Sequence, residues 1–231
     1  MIYFEQLSFE PLHEQAYSAL RNALSMGRLM PGQSVTIRGL GASLGISATP
    51  VREALQRLIA DGALELAPNR TIRVPVMTRN RFTEITEIRV RLECLAAEMA
   101  AQSVDHAVLA QLQSLSDRMH VSISEERFSD YLSHNQSFHF AIYEAAALPC
   151  LLHHIGLCWL RTGPWLNKLA SEGRFHSIAN GEHETMIAAL RLRDAAALSK
   201  SLERDIRDAG AVLIDQLEAA PTPKELHGAA T

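Results

Sequence analysis

Four polar side chains sit on otherwise apolar helical patterns, and together they can do metal chemistry. His139 lies between Phe138 and Phe140, and Asn135 is one helical turn earlier, so the two share a face. His183 lies among Ile187 and Leu190 at helical spacing, and Asp205 follows three residues after Leu202. Two imidazoles, a carboxylate and an amide oxygen converging inside a helical bundle are a ligand set for a divalent cation. The spacing alone also fits buried histidines satisfied by hydrogen bonds, and His134, His153, His154 and His176 read as surface or loop histidines. A second group is basic: Arg38, Arg52 and Arg70, with the hydroxyls of Ser47 and Thr49. Only three of the 22 basic residues are lysines, so the chain favours the planar guanidinium fork that pairs with phosphate or with guanine N7 and O6.

The arginines need a scaffold, and residues 34–61 supply one. Leu40 and Leu44 share a face of a first short helix, which Gly45 ends. Ile46 plugs the turn, and Ser47 and Thr49 are both placed to cap the next helix, with Pro50 in its first turn. Val51, Leu55 and Leu58 form the inner stripe of that second helix, so Arg52 points away from it. Helix, glycine turn, helix is the arrangement that lays its second helix in the major groove. Upstream, Leu12, Ala16, Leu20 and Leu24 mark a helix over about 11–26, after a short arm at 1–10. Downstream, 63–67 and 71–76 alternate apolar with polar around Pro68-Asn69-Arg70, which predicts a β-hairpin wing with Arg70 at its tip. These elements make a first domain over residues 1–76.

From Thr78 onward the pattern is helical throughout. Helices are expected over 79–103, 105 to about 119, 127–147, 151–166, 180–193 and 194–217, with 167–176 as loop. On the first of these the apolar stripe is Phe82, Ile85, Ile88, Leu92, Leu95, Ala96 and Met99. The fold class is mainly α: a winged helix-turn-helix of three helices plus a hairpin, then an all-α antiparallel bundle over 77–220. Residues 221–231, after Pro221 and Pro223, are expected to be a disordered tail.

Charge narrows the partners. Residues 1–75 hold seven arginines and six acidic residues, so the arginine placement rather than net charge must carry DNA binding. The remainder holds 15 basic and 20 acidic residues. Cys94, Cys150 and Cys158 are odd in number and lack Cys-x-x-Cys spacing, which points to a reducing, cytoplasmic setting without a disulfide framework. No stretch approaches the roughly 18 apolar residues of a membrane span.

The run Thr49-Pro50-Val51-Arg52-Glu53-Ala54-Leu55, with Pro31-Gly32, Leu44-Gly45-Ile46-Ser47 and Asp61-Gly62 around it, resembles the GntR family of bacterial transcriptional regulators. The second half resembles that family's FadR-type effector domain, called FCD, through Glu87-Ile88-Arg89, Leu92-Glu93, Phe138-His139, Glu182-His183 and Arg193-Asp194-Ala195. The resemblance covers about residues 10–217. It implies a homodimer on a double-stranded, palindromic DNA operator, with Arg38, Ser47, Thr49, Arg52 and Arg70 at the duplex. It implies a divalent metal (zinc, nickel or manganese) on Asn135, His139, His183 and Asp205, and a small organic acid effector clamped by an arginine. Arg89 matches that arginine, and Arg161 beside Trp159 is a second candidate. The sequence departs from the family at Ala48, where many members carry arginine, at Arg70-Thr71 for the usual Arg-Gly wing tip, and at Asp205 for a histidine. Arg89 with Glu93 also reads as a plain intrahelical surface pair. The competing functions are a regulator that senses nothing, or a metalloenzyme with a degenerate helix-turn-helix. Neither a nucleophile–base pair nor a Gly-rich phosphate loop supports the latter.

Overall fold

The computed structural model describes residues 10–170, 181–215 and 217. The expected arm, the 171–176 part of the loop with His176, and the C-terminal tail lie outside the described residues.

Each helix of the N-terminal domain starts and stops where local chemistry dictates. Helix α1 (Leu12–Ser25) buries Ala16, Tyr17, Leu20 and Leu24 along one stripe. Strand β1 is Ser34–Val35. Helix α2 (Ile37–Leu44) begins at Thr36, whose Oγ1 accepts the Gly39 N–H at 3.0 Å. It ends at Gly45, which takes the left-handed conformation (φ 68°) that glycine adopts without steric cost. Helix α3 (Ala48–Ala60) buries Val51, Ala54, Leu55 and Leu58. Ser47 occupies its N-cap position without a side-chain cap bond.

The wing corrects the sequence expectation. Strands β2 (Glu65–Leu66) and β3 (Ile72–Arg73) are two residues each, shorter than the 63–67 and 71–76 alternation, and β1 adds an unexpected third strand. The sheet order is β1-β3-β2, antiparallel, with Val35 and Leu66 both opposite Ile72. Ala63, Leu64 and Val74 are buried in the domain core instead of extending the ladder.

The second domain is helical throughout its described residues. Its helices are α4 (Arg79–Ser103), α5 (His106–Ser124), α6 (Phe128–Ala145), α7 (Pro149–Ala170), α8 (Gly181–Leu192) and α9 (Ala195–Asp215). Thr78, Asp105 and Asp194 cap α4, α5 and α9 through their side-chain oxygens. Helix α7 starts on Pro149, which needs no backbone donor there, and runs past the expected end at 166 despite Pro164 in its interior. Helix α9 lies along α4, α5 along α6, and α7 packs on α4, α6 and α1.

On α4 the inward face is Phe82, Ile85, Val90, Ala96, Ala97 and Ala100, where small alanines let neighbouring backbones approach. Ile88, Leu95 and Met99, expected on the inner stripe, are exposed at 42%, 47% and 50%. They form an outward apolar strip. No described helix is long and apolar enough to cross a membrane.

The two domains share material along α7. Leu160 is fully buried in the apolar cluster of the N-terminal domain, with Leu20, Leu24 and Leu55. Gly163 lies so close to the end of α1 that a Cβ there would stand 2.4 Å from the Leu24 carbonyl oxygen and 2.5 Å from Ser25 Cα.

Candidate metal centre and nucleic-acid interface

Helix α3 presents the side opposite its buried stripe to solvent. Arg52 is exposed there, with Ser47, Ala48 and Thr49 exposed at the helix start and Arg38 exposed at the start of α2. Arg70 stands at the wing tip in a left-handed conformation (φ 60°), its N–H donating to the Ala67 carbonyl at 2.8 Å. Asn69 Oδ1 accepts the Thr71 N–H and closes the same turn. The side chains of Arg38, Arg52 and Arg70 make no hydrogen bond or ion pair among the described residues. The other arginines near them are tied down: Arg57 donates to Glu14 at 2.7 Å over the Tyr17 ring, and Arg73 donates to Glu65 at 2.6 Å. The fold therefore leaves free the guanidinium groups that face outward from the helix-turn-helix and wing.

In the bundle, α6, α8 and α9 bring His139, His183 and Asp205 together, and their ligand atoms all lie within 4.8 Å of one another. His139 Nε2 is 3.3 Å from Asp205 Oδ2 and 3.4 Å from His183 Nε2, and the latter is 3.8 Å from Asp205 Oδ1. Both histidines are buried and Asp205 is nearly so. Burial pushes the His183 pKa down, to about 4, so its imidazole is neutral at physiological pH and has a lone pair to give. Burial also raises the Asp205 pKa, but the His139 hydrogen bond and the nearby positive groups outweigh it and leave the carboxyl below its ordinary value. His183 Nδ1 is buried with no hydrogen-bond partner among the described residues. Two imidazoles and a carboxylate thus face one another across hydrogen-bond distances, and a divalent cation between them would take the place of the shared hydrogens. Asn135 is on α6 one turn before His139 and half-buried.

The structure adds two residues to this cluster that the sequence reading did not place. Tyr143 Oη donates to Glu93 Oε2 at 2.5 Å and lies 3.2 Å from His139 Nδ1. Glu93 is fully buried and receives Arg89 Nε at 2.7 Å. The Arg89–Glu93 pair is thus internal rather than a surface pair. Arg89 also stacks over the Trp159 ring at 4.8 Å, and Trp159 packs against His139 with ring centroids 5.5 Å apart. Arg89 borders the cluster, but its fork is already committed to Glu93.

Arg161, the second effector candidate, stands at the domain junction. Its Nε donates to the Asp61 carbonyl at 2.9 Å, and its guanidinium lies against Gly62, at the end of α3. It serves the domain junction. The sequence signal available was only its neighbour Trp159, which turns the other way along the helix, toward His139.

Two family profiles match the chain: "Bacterial regulatory proteins, gntR family" over residues 12–74 and "FCD domain" over residues 84–208. The chain is 32% identical over 207 residues to the HTH-type transcriptional regulator McbR of Escherichia coli (strain K12), spanning 87% of this chain and 92% of that protein. It is 22% identical to the HTH-type transcriptional repressor RspR of the same strain over 86% of this chain and 87% of that protein. The solved structure of E. coli McbR/YncC superposes with a TM-score of 0.85 at 30% identity, over 90% of this chain and 99% of that one.

Proposed function

Because the chain belongs to the gntR family of bacterial regulatory proteins and carries an FCD domain, it is a DNA-binding transcriptional regulator, and we propose that it is a cytoplasmic homodimer whose grip on a palindromic operator is set by a small organic acid beside a divalent metal. The observation that carries the DNA part is the free outward arginine of α3. Arg52 reads base edges in the major groove, Arg38, Ser47 and Thr49 hold phosphates, and Arg70 anchors the wing. The apolar strip of Ile88, Leu95 and Met99 supports pairing of two copies along α4, which would space two α3 helices for two half-sites.

Arg52→Ala is expected to lower specific operator affinity by about 1–3 kcal/mol, roughly 5- to 150-fold, with little change on unrelated DNA. Fluorescence anisotropy on a footprinted operator and on a scrambled duplex measures both. Equal losses on the two duplexes would make Arg52 a phosphate contact and move base reading elsewhere.

The metal would be held by His139, His183 and Asp205, with Asn135 as the fourth protein ligand. Zinc, nickel and manganese all accept such a set, and a bound ion would offer a position to an acid's carboxylate. Since Arg89 is committed to Glu93, the acid is anchored by the metal rather than by Arg89. Zinc at about 100-fold over its dissociation constant is expected to stabilise the fold by about 2.7 kcal/mol, seen as a raised melting temperature that Asp205→Ala and a chelator both abolish. Organic acids should then shift the melting temperature of the metal-loaded protein only. A wild-type protein indifferent to zinc, nickel and manganese removes both the metal and its acid.

Helix α7 supplies the coupling. Trp159 touches His139, Leu160 lies in the DNA-binding core, and Arg161 holds the end of α3. A change at the cluster that moves α7 therefore moves the recognition helix.

A further inference from the structure

The groups around His139 form a closed ring. Arg89 donates to Glu93, Glu93 accepts from Tyr143, Tyr143 meets His139 Nδ1, and His139 packs on Trp159, which lies under Arg89. Every member is buried: Glu93, Tyr143, His139 and Trp159 are at most 2% exposed, and Arg89 is 9% exposed. Tyr143 is four residues after His139 on α6, so the helix itself sets the hydroxyl beside the ring nitrogen. A tyrosine hydroxyl has one hydrogen to give. Here it goes to the Glu93 carboxylate, the stronger acceptor, at 2.5 Å. The oxygen left facing His139 Nδ1 is then an acceptor, and the 3.2 Å contact is a hydrogen bond only if Nδ1 carries the hydrogen.

Resting on the metal reading above, we propose that Tyr143 is a positioning residue for the metal ligand His139. Oriented by Glu93, it holds a hydrogen on Nδ1, so that Nε2, which faces Asp205 and His183, is the nitrogen given to the metal. Arg89 completes the device by neutralising Glu93 and holding its carboxylate still. A histidine ligand whose second nitrogen is so held binds a metal more tightly than one free to turn or to change tautomer. His183 shows the contrast, since its Nδ1 has no partner among the described residues. A tyrosine that only fills the core needs Glu93 and has no use for the Nδ1 contact.

The test measures zinc affinity of the full-length protein by chelator competition, together with the ring ¹⁵N shifts of His139 after histidine labelling. Tyr143→Phe keeps the ring and its packing and is expected to weaken zinc by roughly 10- to 100-fold. In the zinc-loaded wild type His139 should show a metal-bound Nε2 and a slowly exchanging Nδ1–H, and that protection should be lost in Tyr143→Phe. Glu93→Gln is the second variant. Its single oxygen stays with Arg89 and its amide donates to the Tyr143 oxygen, which sends the tyrosine hydrogen to His139 Nδ1 and places the imidazole hydrogen on Nε2. It too should lose zinc affinity. Zinc binding within twofold of wild type in both variants, or His139 metallated through Nδ1 in the wild type, overturns the proposal. If His139→Ala abolishes binding while both variants keep it, the metal centre stands and the role of Tyr143 falls. A wild type that takes no zinc overturns both.

Discussion

Arg89→Ala is expected to cost about 3–5 kcal/mol of folding stability, read as a lower urea midpoint for the metal-free protein. The magnitude follows from what remains. Glu93 is fully buried, and without Arg89 its carboxylate keeps only the Tyr143 hydroxyl as a partner among the described residues. A buried charge stripped of its partner costs far more than the pair gained, because both desolvation penalties were already incurred when the fold closed. The double replacement Arg89→Met with Glu93→Leu should therefore recover most of the loss. It should leave a deficit of about 1–3 kcal/mol from the Tyr143 hydroxyl, now buried without its acceptor. An arginine held ready for an acid effector would behave differently. Its loss would hardly touch stability, and the double variant would be the worse of the two. A single-variant cost below about 1 kcal/mol, the range of surface pairs, would show that Glu93 is reached by water.

What the sequence revealed and what it hid divide along one physical line. The outward face of α3 was legible because Val51, Leu55 and Leu58 fix the inner stripe within one helix, and Arg52 follows by geometry. The end of α2 followed from local chemistry at Gly45. Metal-ligand spacing alone did not bring His139, His183 and Asp205 together. Their presence on apolar helices suggested it, and the family resemblance sharpened it. Glu93 was hidden because an Arg–Glu pair four apart has the same spacing whether water or protein surrounds it. The role of Tyr143 was hidden because its partner is 50 residues away. The place of Arg161 at the junction was hidden because its partner at the end of α3 is 100 residues away, beyond any periodicity. The α4 stripe failed for a related reason. Ile88, Leu95 and Met99 repeat at helical spacing, but the face packed by α9 and α7 is the alanine face, and periodicity does not say which of two faces the neighbours choose. Strand β1 is two residues long, too short to alternate visibly.

Gly163→Ala is expected to undock the DNA-binding domain from the effector domain. The added Cβ would meet the Leu24 carbonyl oxygen at 2.4 Å, Ser25 Cα at 2.5 Å and the Ser25 carbonyl oxygen at 2.6 Å. All three belong to the backbone at the end of α1, which cannot swing aside as a side chain can. Gly156, also on α7, makes the control. A Cβ there meets Arg21 at 2.2 Å, but the atom is the far end of a flexible guanidinium, which can turn away. Gly156→Ala should therefore be nearly neutral, while Gly163→Ala costs about 3 kcal/mol at the junction, at the upper end of overpacking penalties. The loss falls on the junction because each domain has its own apolar core, and Leu160 is the α7 residue among the described ones that is buried in the other. Calorimetry should show one cooperative transition for the wild type and two for Gly163→Ala, with protease cutting gained near residues 75–78. Operator binding should persist, since α3 and the wing are untouched. Its dependence on metal and organic acid should disappear, because Trp159, Leu160 and Arg161 carry the cluster's state to α3 only while α1 rests on α7. A Gly163→Ala protein that still melts as one unit and still releases DNA on effector addition would place the coupling outside α7.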